Sequence, residues 1–190
     1  IKYNQFDTIY HEHFSYLSLY TVKKIFEKQG LKIFNVEQIK THGGSLRIYG
    51  CHKNDKREIN NKVNSLLKKE KINGLQEINT YKNFQKKADK IKNKLLNFLI
   101  LQKNKGKKVA AYGAAAKGNT LLNYSGIKKD LISFVCDGAT AKQGQFMPGS
   151  HIPIVPPKYL KTHKVEYLLI LPWNISHEIK TLNSNLKKNG

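Results

Sequence analysis

Apolar and polar positions along this chain recur with two different periods, and each change of period marks an element. Residues 16–29 (YLSLYTVKKIFEKQ) set Leu17, Leu19, Val22, Ile25 and Phe26 at steps of three and four, which predicts an amphipathic helix capped by Ser18 or Thr21. Gly30 suits the left-handed position just past such a helix. LKIFNVEQI then sets Leu31, Ile33 and Asn35 against Phe34 and Val36, and SLRIYGC follows the turn at His42-Gly43-Gly44, so the period of two predicts a β-hairpin. The helical period returns from Asn54 to about Lys71 with Ile59, Val63, Leu66 and Leu67, until Asn73-Gly74 breaks it. From Ile78 to about Lys103, Ile78, Tyr81, Phe84, Ala88, Ile91, Leu95 and Phe98 form one stripe over roughly seven turns. A stripe of that kind packs on its own domain or meets a coiled-coil partner.

After Lys105-Gly106 the order changes to strand, tight turn, helix. KKVAAYG is a short apolar run ending in glycine, and AAAKGNTLLNY begins a helix at once. DLISFVCD predicts a second strand. The segment GATAKQGQFMPGSHIPIVPP is irregular, and its embedded Phe146, Met147 and Ile152 predict an ordered loop over the carboxyl edge of the sheet. VEYLLILPWN reads as a buried strand and HEIKTLNSNLKK as a last helix. The fold class is therefore α/β: a Rossmann-like domain at 106–190, a helical connecting segment at 53–105, and at 1–52 a helix and hairpin that close a sheet whose other strands lie outside the chain.

Composition narrows the function classes. No stretch of about 18 apolar residues exists, so no span of a membrane is expected. The chain opens on Ile1, and IKYNQFDTIYHEHF is neither a signal core nor a transit peptide, which reads as a fragment. Cys51 and Cys136 sit far apart in apolar runs, as expected of two reduced thiols in a cytoplasmic protein, and no CxxC supplies zinc-knuckle spacing. The formal charge of +21 gives non-specific attraction to phosphates. Of the 34 basic residues, however, only Arg47 and Arg57 are arginine, and the lysines spread along solvated helix faces, which argues against specific nucleic-acid recognition.

Two places carry candidate chemistry. Tyr10-His11-Glu12-His13 packs a phenol, two imidazoles and a carboxylate into consecutive positions, and a tight turn would converge all four. Imidazole changes charge near neutral pH and is the commonest general base, with Glu and Tyr able to orient it or hold a developing charge; a surface loop or a structural hydrogen-bond network would use the same residues. Gly113, Ala115 and Gly118 fill the places of G-x-G-x-x-G with alanine at the second, at the start of a helix whose amides suit an anion. Asp137 ends the next strand roughly 20 residues on, where a dinucleotide fold puts its ribose-binding acid. An ordinary βαβ unit would also use that glycine for close packing and that aspartate to brace its loop.

The runs YHEHFSYLSLYTVKKIFEKQGLKIFNVEQIKTHGGSLRIYG, YGAAAKGNTLLNY, VCDGATAKQGQFMPGSHIPIVPP and LPWNISHEI resemble the C-terminal part of S-adenosylmethionine-dependent sugar C-methyltransferases acting on nucleotide-linked 4-keto sugars. The resemblance implies that 1–52 is the C-terminal remnant of the methyltransferase domain, its closing helix and hairpin, and that 106–190 binds the nucleotide-diphosphate sugar. It implies His13 as the base that removes a proton next to the keto group, with Tyr10 and Glu12 around the enolate. His42, Gly43, Gly44 and Ser45 match the family's HGGS turn near that site. Gly113, Lys117, Gly118, Asn119, Asp137 and Lys142 become candidates for phosphate, ribose or base contacts. The S-adenosylmethionine site and a zinc-binding domain precede the region seen here, so the chain alone is expected to bind neither group and to be inactive. A non-catalytic nucleotide-sugar-binding module and, behind it, an NAD-dependent dehydrogenase domain are the competing readings.

Overall fold

The computed structural model describes residues 1, 3–184 and 186, which form two compact units. One is Phe14–Gln85, and the other joins Ile1–His13 to the chain from Lys86 onward. These packing units divide the chain at other points than the boundaries after 52 and 105 that the sequence suggests.

In the unit Phe14–Gln85, helix α1 (Leu19–Lys28) starts at Ser18, whose Oγ accepts the Thr21 N–H at 3.2 Å. The first amides of a helix have no partner inside it. Here Glu70 supplies one from elsewhere in the sequence: Leu19 N–H donates to Oε1 at 2.7 Å and Tyr20 N–H to Oε2 at 2.9 Å. That pair of caps fixes the start later than the apolar pattern suggests and leaves Leu17 exposed. Gly30, at φ +69°, ends the helix. Strands β1 (Leu31–Ile39) and β2 (Ser45–His52) pair antiparallel from Leu31 opposite His52 to Ile39 opposite Ser45, with a bulge between Ile33 and Asn35. Helix α2 (Asn61–Ile72) begins well after Asn54, because the Asn60 side chain accepts the Lys62 N–H and the Asn60 N–H is drawn to the Phe34 carbonyl. Residues 55–60 are not helical, and Ile59 is exposed. Leu19, Ile33, Val36 and Val63 form the core.

Helix α3 (Ile78–Asn104) is the long helix that the apolar stripe predicts, and its Leu99 is fully buried in the core of the other unit. There β3 (Val109–Tyr112), β4 (Val135–Cys136), β5 (Ile154–Val155) and β6 (Tyr167–Ile170) make a parallel sheet in the order β5-β4-β3-β6. Helix α4 (Ala116–Tyr124) links β3 to β4, and α5 (Ser176–Leu182) follows β6. The fold is α/β, as the sequence implies. One core cluster gathers Leu99, Val109, Ala111, Leu122, Ile132 and Val135; a second gathers Ala110, Phe134, Cys136 and Leu160. Alternate residues of β3 thus serve different clusters, the signature of a strand buried on both faces.

Three details differ from the pattern. Only Val135 and Cys136 of DLISFVCD join the ladder, since Asp130 and Leu131 complete a turn in which Ile132 N–H reaches the Lys128 carbonyl. The irregular segment contributes β5 and buries Met147 and Ile152 but leaves Phe146 60% exposed. The strand at Tyr167–Ile170 lies at the sheet edge and is half-buried rather than buried. The end of the predicted last helix, at 185 and 187–188, lies outside the described residues.

Candidate active site

The sheet order reverses at β3: the chain steps outward through β4 and β5, then returns to the opposite side as β6. In open parallel sheets ligands collect beyond the carboxyl ends of the strands at such a reversal. Here that place is flanked by the turn after β3, Gly113-Ala114-Ala115, and the turn after β6, Leu171-Pro172-Trp173. The two turns press together. A Cβ on Gly113, whose φ is +95°, would fall 2.4 Å from Pro172 Cδ, and one on Gly118 would fall 2.7 Å from Leu171 Cβ. Packing alone therefore demands both glycines.

Ala115 offers no side-chain cap to α4, whose first turn carries Lys117 and Gly118. Lys117 is only 8% exposed; its Nζ lies 3.5 Å from Asn174 Oδ1 and 4.8 Å from the centre of the Trp173 ring. Asn119 Oδ1 is buried and makes no hydrogen bond within the chain. Asp137 is occupied by its surroundings: Oδ2 accepts the Ala114 N–H at 2.7 Å and Oδ1 the Ala139 N–H at 2.8 Å. Lys142 stands 3.6 Å from Asp137 Oδ2 and donates from Nζ to the Ala114 carbonyl at 2.8 Å. Asp137 and Lys142 thus clamp both polar groups of Ala114, tying the glycine turn to the loop after β4.

The Tyr10–His13 cluster belongs to this same unit. A short 3-10 turn, Phe6–Thr8, precedes it and buries Phe6 and Asp7. The Phe6 ring meets Tyr124 of α4 at 5.1 Å between centres, and Asp7 Oδ2 accepts the Trp173 indole N–H at 2.6 Å. A further turn, closed by His13 N–H on the Tyr10 carbonyl at 2.9 Å, brings the Tyr10 ring to 4.3 Å from that of His13. The His13 Nδ1 lies 2.7 Å from the Thr8 carbonyl oxygen. The four side chains do not all converge: Glu12 Oε1 stands 3.9 Å from Nε2 of His11, and both of these side chains are exposed. His42, Gly43, Gly44 and Ser45 lie in the other unit, where Gly43 and Gly44 take φ of +86° and +120° and Ser45 Oγ donates to the Thr41 carbonyl.

Sequence reasoning passed over Phe6, Asp7 and Trp173. The one available signal was the chain's single tryptophan, placed directly after the last strand in LPWN. Among the described residues, no three metal-ligating side chains come together, and no helix is long and apolar enough to cross a membrane.

Comparison with known proteins gives this geometry a context. The family model described as the C-methyltransferase C-terminal domain matches residues 40–190. The chain belongs to that family. Its sequence is also 36% identical, over all 190 residues, to the C-methyltransferase NovU of Streptomyces niveus, and it spans 45% of that protein's length. The C-methyltransferase C-terminal domain match takes in the HGGS turn, the glycine turn, Asp137, Lys142 and Trp173. Tyr10, Glu12 and His13 precede the match and are covered by the likeness to NovU.

Proposed function

We propose that the chain is the C-terminal part of a cytoplasmic enzyme that methylates a carbon of a nucleotide-linked 4-keto sugar, and that His13 removes the proton from the carbon beside the keto group. The observation that carries this reading is the contact between His13 Nδ1 and the Thr8 carbonyl at 2.7 Å. A carbonyl oxygen only accepts, so Nδ1 of the neutral ring bears the hydrogen and the basic lone pair lies on Nε2. A proton next to a ketone is weakly acidic, and its removal needs a base of this kind together with a donor to the enolate oxygen. The Tyr10 phenol, beside the imidazole, is suited to that second task, whereas Glu12, turned toward His11, is given no direct part in it.

The nucleotide-diphosphate is assigned to the switch point, where Lys117 and Asn119 stand on the first turns of α4, with Gly113, Gly118, Asp137 and Lys142 shaping the turn. S-adenosylmethionine would supply the methyl group. The glycine turn offers it no free amide at Ala114, whose N–H already donates to Asp137. Its site, like any zinc domain, is assigned to other parts of the longer protein.

The test is His13→Asn in the longer protein that carries this chain. Turnover should fall by about 10²- to 10⁴-fold with nucleotide-sugar affinity little changed. Exchange of the proton beside the keto group for deuterium, measured without methyl donor, should be lost as well. Full turnover in the variant would refute the assignment, and binding without any exchange in the unsubstituted protein would favour the non-catalytic module.

A further inference from the structure

We infer that Asp7 and Trp173 are positioning residues for the His13 imidazole, acting through the 3-10 turn that lies between them and the histidine. The inference rests on the proposed role of His13 and adds two residues that this role does not by itself require.

The structural chain is short and continuous. Asp7 occupies the middle of the turn Phe6–Thr8, and the next residue supplies the carbonyl that meets His13 Nδ1. Asp7 is only 8% exposed, and its Oδ2 accepts the Trp173 N–H at 2.6 Å. Burying a carboxylate is costly, and an apolar side chain would fill the same space without that penalty. What the carboxylate adds is direction: a hydrogen bond to one indole N–H fixes where the turn sits, whereas apolar packing would let it slide. Phe6 on Tyr124 supplies the apolar half of the same anchor.

Trp173 is itself held from the other side. It stands in the turn just after β6, its backbone N–H donates to the Leu171 carbonyl at 2.9 Å, and its ring lies under the Lys117 ammonium at 4.8 Å. The indole therefore stands between the switch point of the sheet and the base segment. Its ring edge faces Asp7, and its face meets a lysine assigned to the nucleotide. Moving Asp7 turns the Thr8 carbonyl, and a turned carbonyl no longer selects the Nδ1–H tautomer of His13. A misplacement of about 1 Å in a reacting group costs up to roughly 10²-fold in rate.

Three variants separate positioning from mere stability. Trp173→Phe keeps an aromatic ring for Lys117 and removes the N–H together with part of the indole's bulk. Asp7→Asn keeps an acceptor oxygen for the indole and serves as the conservative rescue, with Asp7→Ala as the loss variant. The first measurement uses this 190-residue chain and asks nothing of the reaction: long-range nitrogen–proton correlation spectra report the His13 tautomer. The Nδ1–H form should dominate in the unsubstituted chain and in Asp7→Asn, and give way to a mixture in Trp173→Phe and Asp7→Ala. An unchanged tautomer in both loss variants overturns the inference, whatever His13 does. The second measurement uses the longer protein, where Trp173→Phe should lower kcat by about 10- to 100-fold with KM for the nucleotide-sugar within twofold. In a His13→Asn background the same change should add nothing. An equal loss in both backgrounds refutes positioning while leaving the base assignment intact. Should Trp173→Phe fail to fold, Asp7→Ala against Asp7→Asn carries the same comparison.

Discussion

Removing the Asp137 carboxylate should cost the C-terminal unit stability whether or not a ligand is bound. The side chain is 14% exposed, and its two oxygens hold the Ala114 and Ala139 amides at 2.7 and 2.8 Å. A hydrogen bond to a charged group contributes about 1.5–3 kcal/mol. The two bonds share one carboxylate, and Ala139 is exposed enough for solvent to replace its half, so their sum is an upper bound. Asp137→Ala should cost about 3 kcal/mol, chiefly from stranding the Ala114 amide in the packed turn. Asp137→Asn, which keeps one acceptor oxygen but points an amine at the other N–H and loses the charge facing Lys142, should cost about half of that. The single tryptophan, Trp173, lies in this unit and gives the assay: urea unfolding followed by indole fluorescence, without nucleotide. If Asp137→Ala unfolds within about 0.5 kcal/mol of the unsubstituted chain and only nucleotide affinity changes, the clamp on Ala114 is wrong and the acid faces the ligand.

Glu70→Ala should destabilise the unit Phe14–Gln85 by about 2–3 kcal/mol, because it uncaps the Leu19 and Tyr20 amides together, whereas Ser18→Ala should cost about 1 kcal/mol; helical circular dichroism against urea distinguishes the two. Burial pushes the Cys136 thiol up to about 12. The folded state thus favours the neutral thiol, a stabilisation fully present below the unfolded value near 9 and lost as pH rises toward 12, so unfolding midpoints should begin to fall above about pH 9 and a Cys136→Ala chain should lack that component. Ellman's reagent at pH 8 should likewise leave Cys136 unlabelled until denaturant is added.

Much of the fold was legible because period and punctuation agreed. Ser18, Gly30, Asn73-Gly74 and Gly113 stand where elements stop or start, and each acts through a local preference that a sequence displays openly. The errors came where a distant residue decided. The start of α1 is set partly by Glu70, and the start of α2 by an Asn60 amide drawn to Phe34 in β1; neither partner is a neighbour in sequence. Leu17 and Ile59 kept the helical step and yet fell outside. At the candidate site, Tyr10 and His13 were visible as dense chemistry, and the structure brings their rings together. Glu12 had the same visibility but turns toward His11, since a four-residue turn does not aim every side chain inward. Asp7 and Trp173 drew no notice because each is unremarkable alone; only their meeting gives them meaning. Asp137 showed the reverse: its position suggested a ligand, and the two amides it holds became apparent only from the closeness of the turns after β3 and β4.

The bond between Asp7 and Trp173 joins residues 166 positions apart, with the whole Phe14–Gln85 unit inserted between the two pieces that it unites. Synthesis runs from one end at about 5–20 residues per second, so Phe6 and Asp7 leave the ribosome roughly ten to thirty seconds before their partner exists. By the time the inserted unit has every residue it needs, the segment carrying the proposed base still lacks the indole that anchors Asp7. The proposed base would then settle into place only after the unit that follows it in sequence is complete. A nascent chain halted before Trp173 should carry a folded insert and an unanchored segment at residues 6–13, which protease would cut while sparing the insert.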